Sequence, residues 1–241
     1  MKLIKLDAID STNNFLKELA REQLTQNFTV VTAETQTNGK GQMGAQWSSE
    51  HGKNIIMSIL TKDFLFNVDD IFDLNIITSL SVIEALEEYS IPDLSIKWPN
   101  DIMSGNKKIG GILIENIIKN DCIYSIVGLG LNVNQTNFKN LPKASSLAAI
   151  TNNNFNRVDI QKRIVNNLKN SIFIFKKSSG ILKQNYIDKL FKKGVSMPFL
   201  YENGETFSGT IQGVNKLGAI EILHSDNSIK LFNLKEIQLL Y

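Results

Sequence analysis

The sequence predicts an α+β protein in which a large first part of strands and helices is followed by a small, separate β barrel. Apolar residues recur at helical spacing in three stretches, residues 11–24, 69–89 and 157–191. Strand-like segments dominate residues 94–133, and beyond Gly194 short strands alternate with turn residues. We therefore expect two domains, residues 1–193 and 194–241, with the boundary near residue 193.

The first elements along the chain are a short strand and an amphipathic helix. Residues 1–9 alternate in hydropathy, and the next segment places Phe15, Leu16 and Leu19 on one helical face. Ser11, Thr12 and Asn13 stand just before that face, where helix N-caps occur. Two more strands are predicted over residues 28–34 and 54–61, with a glycine-rich loop between them.

Two longer helices and a set of C-terminal strands complete the prediction. The helix over residues 69–89 is expected to be capped by the paired Asp69 and Asp70, whose negative charge suits a helix N-terminus. Ser178-Ser179-Gly180 interrupts the helical pattern of residues 157–191, so we expect two pieces there. The strands of the C-terminal barrel are separated by turns at Asn203-Gly204, Gly218 and Asp226-Asn227.

Composition excludes several classes of function. The chain has 241 residues, and its formal net charge of +2 provides no field that would attract nucleic acid. Cys122 is the single cysteine, so an intrachain disulfide is excluded, and its apolar context predicts a buried core thiol in a reduced compartment. The sequence shows neither the apolar core of a signal peptide nor an apolar run of membrane-spanning length. We therefore expect a cytoplasmic protein.

The loop QTNGKGQMGAQW, residues 36–47, carries glycines in GxGxxG spacing. A dinucleotide-binding fingerprint needs a helix directly after its third glycine, whereas a strand follows here, and no Gly-Lys-Ser or Gly-Lys-Thr indicates a Walker loop. The whole loop spans residues 35–53, and an unstructured loop of about 18 residues inside a compact domain is unusual unless it functions as a lid. Its free amides and Lys40 suit a phosphate. A plain surface loop is the alternative interpretation.

Three further polar segments are candidates for ligand binding. Ser11, Thr12 and Asn13 either cap the helix or hydrogen-bond a neutral polar ligand. In KKIGGILIE, residues 107–115, the double glycine lets a ligand lie against a strand beside lysines that can stabilise negative charge. GLGLNVN, residues 128–134, carries glycine and amide side chains on an apolar strand, which crowded sheet packing explains equally well.

Other chemistry is not indicated. His51 and His224 are far apart and have no metal-ligand companions, so we expect no zinc site. The sequence also lacks a Ser/His/acid pattern for covalent hydrolysis. Residues 162–193 carry nine basic residues and a single acid, Asp188. A solvated helix face is the first interpretation of that segment, and docking of an acidic protein or weak nucleic-acid contact is the alternative.

Four motifs stand in one order along the chain. They are STN at residues 11–13, GKGQMG at 39–44 with Trp47, KWPNDI at 97–102 leading into KIGGILIE, and GLGLNVN at 128–134. Together they resemble the biotin protein ligase family over nearly the whole chain. The resemblance implies a mixed sheet flanked by helices, similar to a class II synthetase core, followed by a small SH3-like barrel. Because STN begins at residue 11, the chain resembles the monofunctional type that lacks an N-terminal DNA-binding domain.

The resemblance also implies roles for individual residues. Catalytic roles fall on Lys108 and Lys40. We further hypothesise that Asp101, presented by the Pro99-Asn100 turn, orients or deprotonates the amine of an acceptor lysine, although an Asp in a tight turn is more often structural. The residues expected to contact biotin are Ser11, Thr12, Asn13, Gln36, Gly39, Lys40, Gly41, Lys108 and Gly111. The residues expected to contact ATP or the adenylate are Lys40, Gln42, Trp47, Asn100, Lys108 and Asn132. No metal ligand is assigned to the protein itself.

The implied reaction uses ATP, with Mg²⁺, to convert biotin into biotinyl-5'-AMP. Biotin is then transferred to a lysine of a biotin carboxyl carrier protein domain. A homodimer is left open, whereas DNA and membrane partners are not expected. The alternatives are a lipoate or octanoate ligase of the same superfamily, and a non-catalytic biotin-binding regulator.

One departure from the family pattern lies in the glycine loop. Family members commonly carry two arginines there, and this sequence has Lys40 and Gln42 instead. Lys40 keeps the charge without the bidentate fork of arginine, whereas Gln42 removes a charge. We therefore expect weaker retention of the adenylate.

Overall fold

The fold is described from a computed structural model that covers residues 2–22, 25–62, 64–65, 67, 70–119, 122–139 and 141–241. These residues form a seven-stranded sheet, a five-stranded sheet and four α-helices. The predicted α+β class is confirmed.

The seven-stranded sheet carries the candidate site. Its strands are β1 (Leu3–Ile9), β2 (Val30–Gln36), β3 (Ile55–Thr61), β4 (Leu94–Lys97), β5 (Asp101–Ser104), β6 (Lys107–Lys119) and β7 (Cys122–Leu131). They lie in the order β1-β2-β3-β7-β6-β5-β4. Only the β1–β2 pair is parallel among the described pairs of this sheet, so the sheet is mixed, as expected.

Helices cover both faces of this sheet because its strands are apolar on both sides. Helix α1 (Thr12–Glu22) packs on one face, where its Leu16 meets Val31 and Leu60. Helices α2 (Ile71–Glu87) and α4 (Arg157–Asp188) cover the other face, to which Val30 and Ile59 point. Neighbouring strand residues thus enter opposite cores, as the two-residue period of a strand requires. A short helix, α3 (Leu147–Thr151), follows β7.

The helix ends differ in part from the prediction. Helix α2 starts after Asp70, but no backbone amide donates to the Asp70 carboxylate as a cap, and Asp69 lies outside the described residues. Residues 23 and 24 of the first predicted helix also lie outside them. The expected division of the long helix is confirmed, because Ser178 leaves helical geometry at φ −133° and ψ 16°.

The C-terminal part is a five-stranded antiparallel sheet. Its strands are β8 (Ser196–Tyr201), β9 (Thr206–Val214), β10 (Ile220–His224), β11 (Ile229–Phe232) and β12 (Ile237–Leu239). Their order is β11-β10-β9-β8-β12. Phe199, Ile211 and Ile220 of this sheet belong to the same buried cluster as residues of α2 and α4, so this sheet packs against the helices. The division into two domains at residue 193 stays a prediction.

The expectation that Cys122 is a buried thiol is wrong, because its side chain is exposed. Cys122 begins β7 and pairs with Lys119 in the part of the β6–β7 hairpin that extends beyond β3, whose last pair with β7 joins Thr61 and Ser125. Among the described strand pairs, no other strand of the sheet reaches this end. Within the described residues, no helix combines the length and hydropathy needed to cross a membrane.

Candidate active site

A cavity of about 290 Å³ lies between segments that are far apart in sequence. It is bounded by the start of α1, the loop after β2, the turn between β4 and β5, and the glycine-rich parts of β6 and β7. These are the segments that carry the four sequence motifs. The fold therefore assembles the motifs around one cavity.

One end of the cavity, here called the polar end, is lined by Thr12, Asn13 and Gln36, and Ser58 contacts two of these residues without lining the cavity. The backbone amide and the hydroxyl of Thr12 donate to Gln36 Oε1 at 2.8 and 3.0 Å. The Ser58 hydroxyl lies 2.5 Å from Asn13 Oδ1 and 2.8 Å from Thr12 Oγ1. Thr12, Asn13 and Ser58 are buried, and these bonds hold their polar atoms in place.

These contacts decide between the two interpretations of the Ser11-Thr12-Asn13 motif. Only Ser11 acts as a helix cap, since its hydroxyl accepts from the Asn14 amide at 3.4 Å. Thr12 and Asn13 lie inside α1 and bond to other elements of the fold, and all three residues of the motif line the cavity. The motif therefore contributes binding groups as well as a weak cap.

The other end, here called the charged end, is formed by Lys97, Asp101 and Lys108. Lys108 Nζ lies 2.6 Å from Asp101 Oδ1, and Lys97 Nζ lies 3.6 Å from Asp101 Oδ2. All three side chains are partly exposed and line the cavity. Two lysines facing one carboxylate leave a net positive charge, so this end suits a carboxylate or a phosphate.

A bulge in β6 explains the spacing between Lys108 and Gly111. Ile102 of β5 pairs with Gly110 and Met103 pairs with Lys108, so Ile109 is an extra residue in β6. The extra residue reverses the alternation of side chains beyond it, and positions 108 and 111 then face the same side. A Cβ at Gly111 would lie 3.5 Å from Lys108 Nζ. The bulge thus brings the lysine over a strand surface that glycine keeps open.

The glycine loop is ordered by its own turn and by Trp47. Lys40 and Gln46 form an antiparallel bridge around a short 3₁₀ turn, Gln42–Gly44. The loop expected to be unstructured therefore contains a small hairpin. The Trp47 ring rests on Gly130, where a Cβ would overlap it, and its buried indole N–H has no partner among the described residues. Lys40 is exposed at the rim and donates to Asn14 Oδ1 at 3.3 Å.

Gly39 and Asn132 do not line the cavity, whereas the other predicted site residues do. Gly39 is buried just behind the loop, where a Cβ would overlap the Trp47 carbonyl. Asn132 donates from Nδ2 to the Ser145 carbonyl at 3.0 Å. Asn100 does line the cavity, but its amide donates to the Ile112 carbonyl. These residues brace the backbone that surrounds the site.

Sequence reasoning missed three charged or polar residues. Lys97 opens the KWPNDI motif, and that motif was the available signal for it. Ser58 stands in the apolar run of β3, and no sequence signal indicates its contacts with Thr12 and Asn13. Glu115 ends KIGGILIE and accepts a bond from Asn13 Nδ2 at 2.8 Å. Lys97 lines the cavity, whereas Ser58 and Glu115 do not line it but bond to Asn13, which does.

The described residues do not form a magnesium site of their own. No group of three or more His, Cys, Asp or Glu residues in the described part of the chain could hold a metal ion. Asp101 is the one acidic side chain among the described lining residues, and both its oxygens face lysine ammonium groups. Mg²⁺ binds through carboxylates and substrate phosphates. The expected use of Mg²⁺ stays a prediction.

The chain is similar in sequence and in structure to known proteins of one family. Residues 6–132, just over half of the chain, match the biotin/lipoate A/B protein ligase family. The structure of a biotin protein ligase from Aquifex aeolicus in complex with biotin and ATP is 30% identical, with a TM-score of 0.82. That similarity covers 99% of this chain and 98% of the other.

Two curated relatives extend the comparison. The bifunctional ligase/repressor BirA of Bacillus subtilis is 35% identical over 134 residues, which are 55% of this chain and 41% of that protein. The biotin–[acetyl-CoA-carboxylase] ligase of Mycobacterium tuberculosis is 25% identical over 213 residues, which are 87% of this chain and 79% of that protein. The chain belongs to the biotin/lipoate A/B protein ligase family.

Proposed function

We propose that this protein is a biotin protein ligase. It activates biotin with ATP to biotinyl-5'-AMP and then transfers biotin to a lysine of a biotin carboxyl carrier protein domain. The observation that carries the proposal is that one cavity has two unlike ends. The polar end suits the neutral ureido ring of biotin, and the charged end suits its carboxylate and the α-phosphate of ATP. The full-length similarity to a ligase bound to biotin and ATP supports the same assignment.

In the first step, a carboxylate oxygen of biotin attacks the α-phosphorus of ATP and pyrophosphate leaves. Negative charge builds on the phosphoryl oxygens as the new P–O bond forms. Lys108 and Lys97 lie at the charged end, where their ammonium groups stabilise that charge. The loop with Trp47 and Lys40 covers the adenylate and excludes water, which would hydrolyse the mixed anhydride.

In the second step, the ε-amine of the carrier lysine attacks the acyl carbon and AMP leaves. The amine releases one proton to solvent during this step, so the products are the amide, AMP and a proton. Asp101 is held between two ammonium groups at 2.6 and 3.6 Å, an arrangement that suits the orientation of cations. We therefore assign Asp101 the orientation of Lys108 and of the incoming amine.

The decisive experiment is incubation of the purified protein with labelled biotin, MgATP and a carrier domain. ATP-dependent covalent labelling of the carrier lysine is the expected result. A protein that binds biotin but neither exchanges pyrophosphate nor labels the carrier would be a regulator rather than a ligase. Stabilisation of the protein by lipoate instead of biotin in a thermal-shift assay would indicate the lipoate-ligase alternative.

The proposal has two further parts, one on the C-terminal domain and one on the place of action. Residues 194–241 form a separate SH3-like domain, which is supported by the five-stranded antiparallel sheet between Ser196 and Leu239. The proposed reaction consumes ATP and acts on a carrier protein, so the proposed place of action is the cytoplasm.

A further inference from the structure

The polar end of the cavity is tied to an ion pair outside it. Glu115 of β6 accepts from Asn13 Nδ2 at 2.8 Å through Oε2 and from Lys17 Nζ at 2.6 Å through Oε1. The side chains of Lys17 and Glu115 are 21% and 26% exposed, so both belong to the rim of the fold. Neither residue lines the cavity, in contrast to Asn13.

The surroundings of Asn13 allow a single orientation of its amide. On one side, Glu115 Oε2 and the Leu113 carbonyl at 3.3 Å are both acceptors, so the NH₂ group must face them. On the other side, the Ser58 hydroxyl at 2.5 Å can donate its single proton to Asn13 Oδ1. A flipped amide would set its oxygen against two acceptors, which costs the hydrogen bonds of a buried group.

The oriented oxygen has one acceptor position left. An amide oxygen accepts two hydrogen bonds, and Ser58 uses one of them. Gly128, which lines the cavity, lies next to this oxygen, and a Cβ at position 128 would overlap Asn13 Oδ1. The missing side chain leaves the oxygen accessible to a ligand in the cavity.

We propose that Glu115, held by Lys17, is a positioning residue that fixes the Asn13 amide so that its oxygen accepts from a ring N–H of the ligand. This inference rests on the proposed function. It states that the Lys17–Glu115 pair determines whether Asn13 presents a hydrogen-bond acceptor or a donor to the ligand. Burial alone raises the pKa of Glu115, but the bonds from Lys17 and Asn13 outweigh it and bring the pKa below its usual range. The group therefore stays an ionised acceptor at neutral pH.

The test compares Glu115→Gln, Glu115→Asp and wild type in biotin-dependent ATP–pyrophosphate exchange. A glutamine can offer its own NH₂ group to Asn13, so the Asn13 amide is free to flip and present a donor to the ligand. We expect the KM for biotin to rise about tenfold in Glu115→Gln, as for a mispaired buried group, with the KM for ATP unchanged. Glu115→Asp keeps an acceptor-only group and should recover part of the biotin affinity.

Two further variants separate positioning from general stability. Glu87 and Lys189 form a surface pair at 2.6 Å and neither lines the cavity, so Glu87→Gln should leave the KM for biotin unchanged. In an Asn13→Ala background, Glu115→Gln should have no further effect on the KM for biotin, because its action passes through Asn13.

The outcomes distinguish this inference from the proposed function. If the wild type shows no biotin-dependent exchange, both are wrong. If the wild type is active but Glu115→Gln changes the KM for biotin less than about twofold, only the positioning role is wrong, since a mispaired group costs more than that. The same holds if the effect of Glu115→Gln persists in full beside Asn13→Ala.

Discussion

Replacement of Lys108 by alanine tests the charged end of the cavity directly. At neutral pH the change removes an ammonium group that lies 2.6 Å from Asp101 and faces the open surface over Gly111. Asp101 keeps Lys97 at 3.6 Å, so the carboxylate does not lose all of its partners. Because Lys108 is 36% exposed, we expect the free energy of unfolding to fall by only about 1 kcal/mol or less.

The expected effect on catalysis is much larger than the effect on stability. Two unit charges about 4 Å apart interact by about 4 kcal/mol at the effective dielectric constant of a site near the surface. Because Lys108 is partly exposed, we take its stabilisation of the transition state as about 3 kcal/mol. Loss of this stabilisation corresponds to a decrease of about 100-fold in rate. We expect the first step, measured as biotin-dependent pyrophosphate exchange, to fall by that factor.

Lys107→Ala is the matched control for Lys108→Ala. Lys107 is the neighbour of Lys108 on β6, but Lys107 Nζ donates to the Pro142 carbonyl at 2.5 Å and Lys107 does not line the cavity. The control should therefore exchange pyrophosphate at nearly the wild-type rate. Exchange by Lys108→Ala within about threefold of Lys107→Ala would refute the electrostatic role, since that loss is below 1 kcal/mol.

Three further predictions concern the loop, the intermediate and pH. Gly130→Ala places a Cβ that overlaps the Trp47 ring, so the loop that carries Trp47 must shift. We expect the rate of pyrophosphate exchange to fall about tenfold, which corresponds to a rise of about 1.4 kcal/mol in the activation free energy. Gln42→Arg restores a charge over the intermediate and should slow release of free adenylate, measured without a carrier. Glu115 contributes stability that is present above the usual glutamate pKa of 4.5 and is lost as pH falls through its lowered folded-state pKa. The difference in unfolding free energy between wild type and Glu115→Gln should therefore be constant above pH 5 and shrink below 4.5, as followed by urea denaturation.

Each of these has an outcome that contradicts it. Gly180→Ala is the control for Gly130→Ala because a Cβ there meets nothing within 4 Å, and equal exchange by both variants contradicts the role of Trp47. Unchanged release of adenylate from Gln42→Arg argues against contact between position 42 and the intermediate. A pH-independent stability difference between wild type and Glu115→Gln shows that the carboxylate titrates alike in both states.

Most of the fold could be predicted because it depends on local patterns. Helical spacing located α1, α2 and the interrupted α4, and turn residues located the C-terminal strands. Cys122 was misjudged because its apolar neighbours indicate a strand but not how far the β6–β7 hairpin extends past the rest of the sheet. The Asp70 cap was misjudged because an acidic residue at a helix start need not bond the backbone.

The candidate site was also predicted only in part from the sequence. The sequence by itself determined which groups are available for binding. These are Lys108, the glycines that leave the strand backbone uncovered by side chains, and the Thr12-Asn13 pair. Only the tertiary structure decided their partners, because contacts across a sheet depend on strand register. A one-residue bulge places Lys108 over Gly111, and the pairing of β3, β6 and β7 brings Ser58, Glu115 and Gly128 around Asn13.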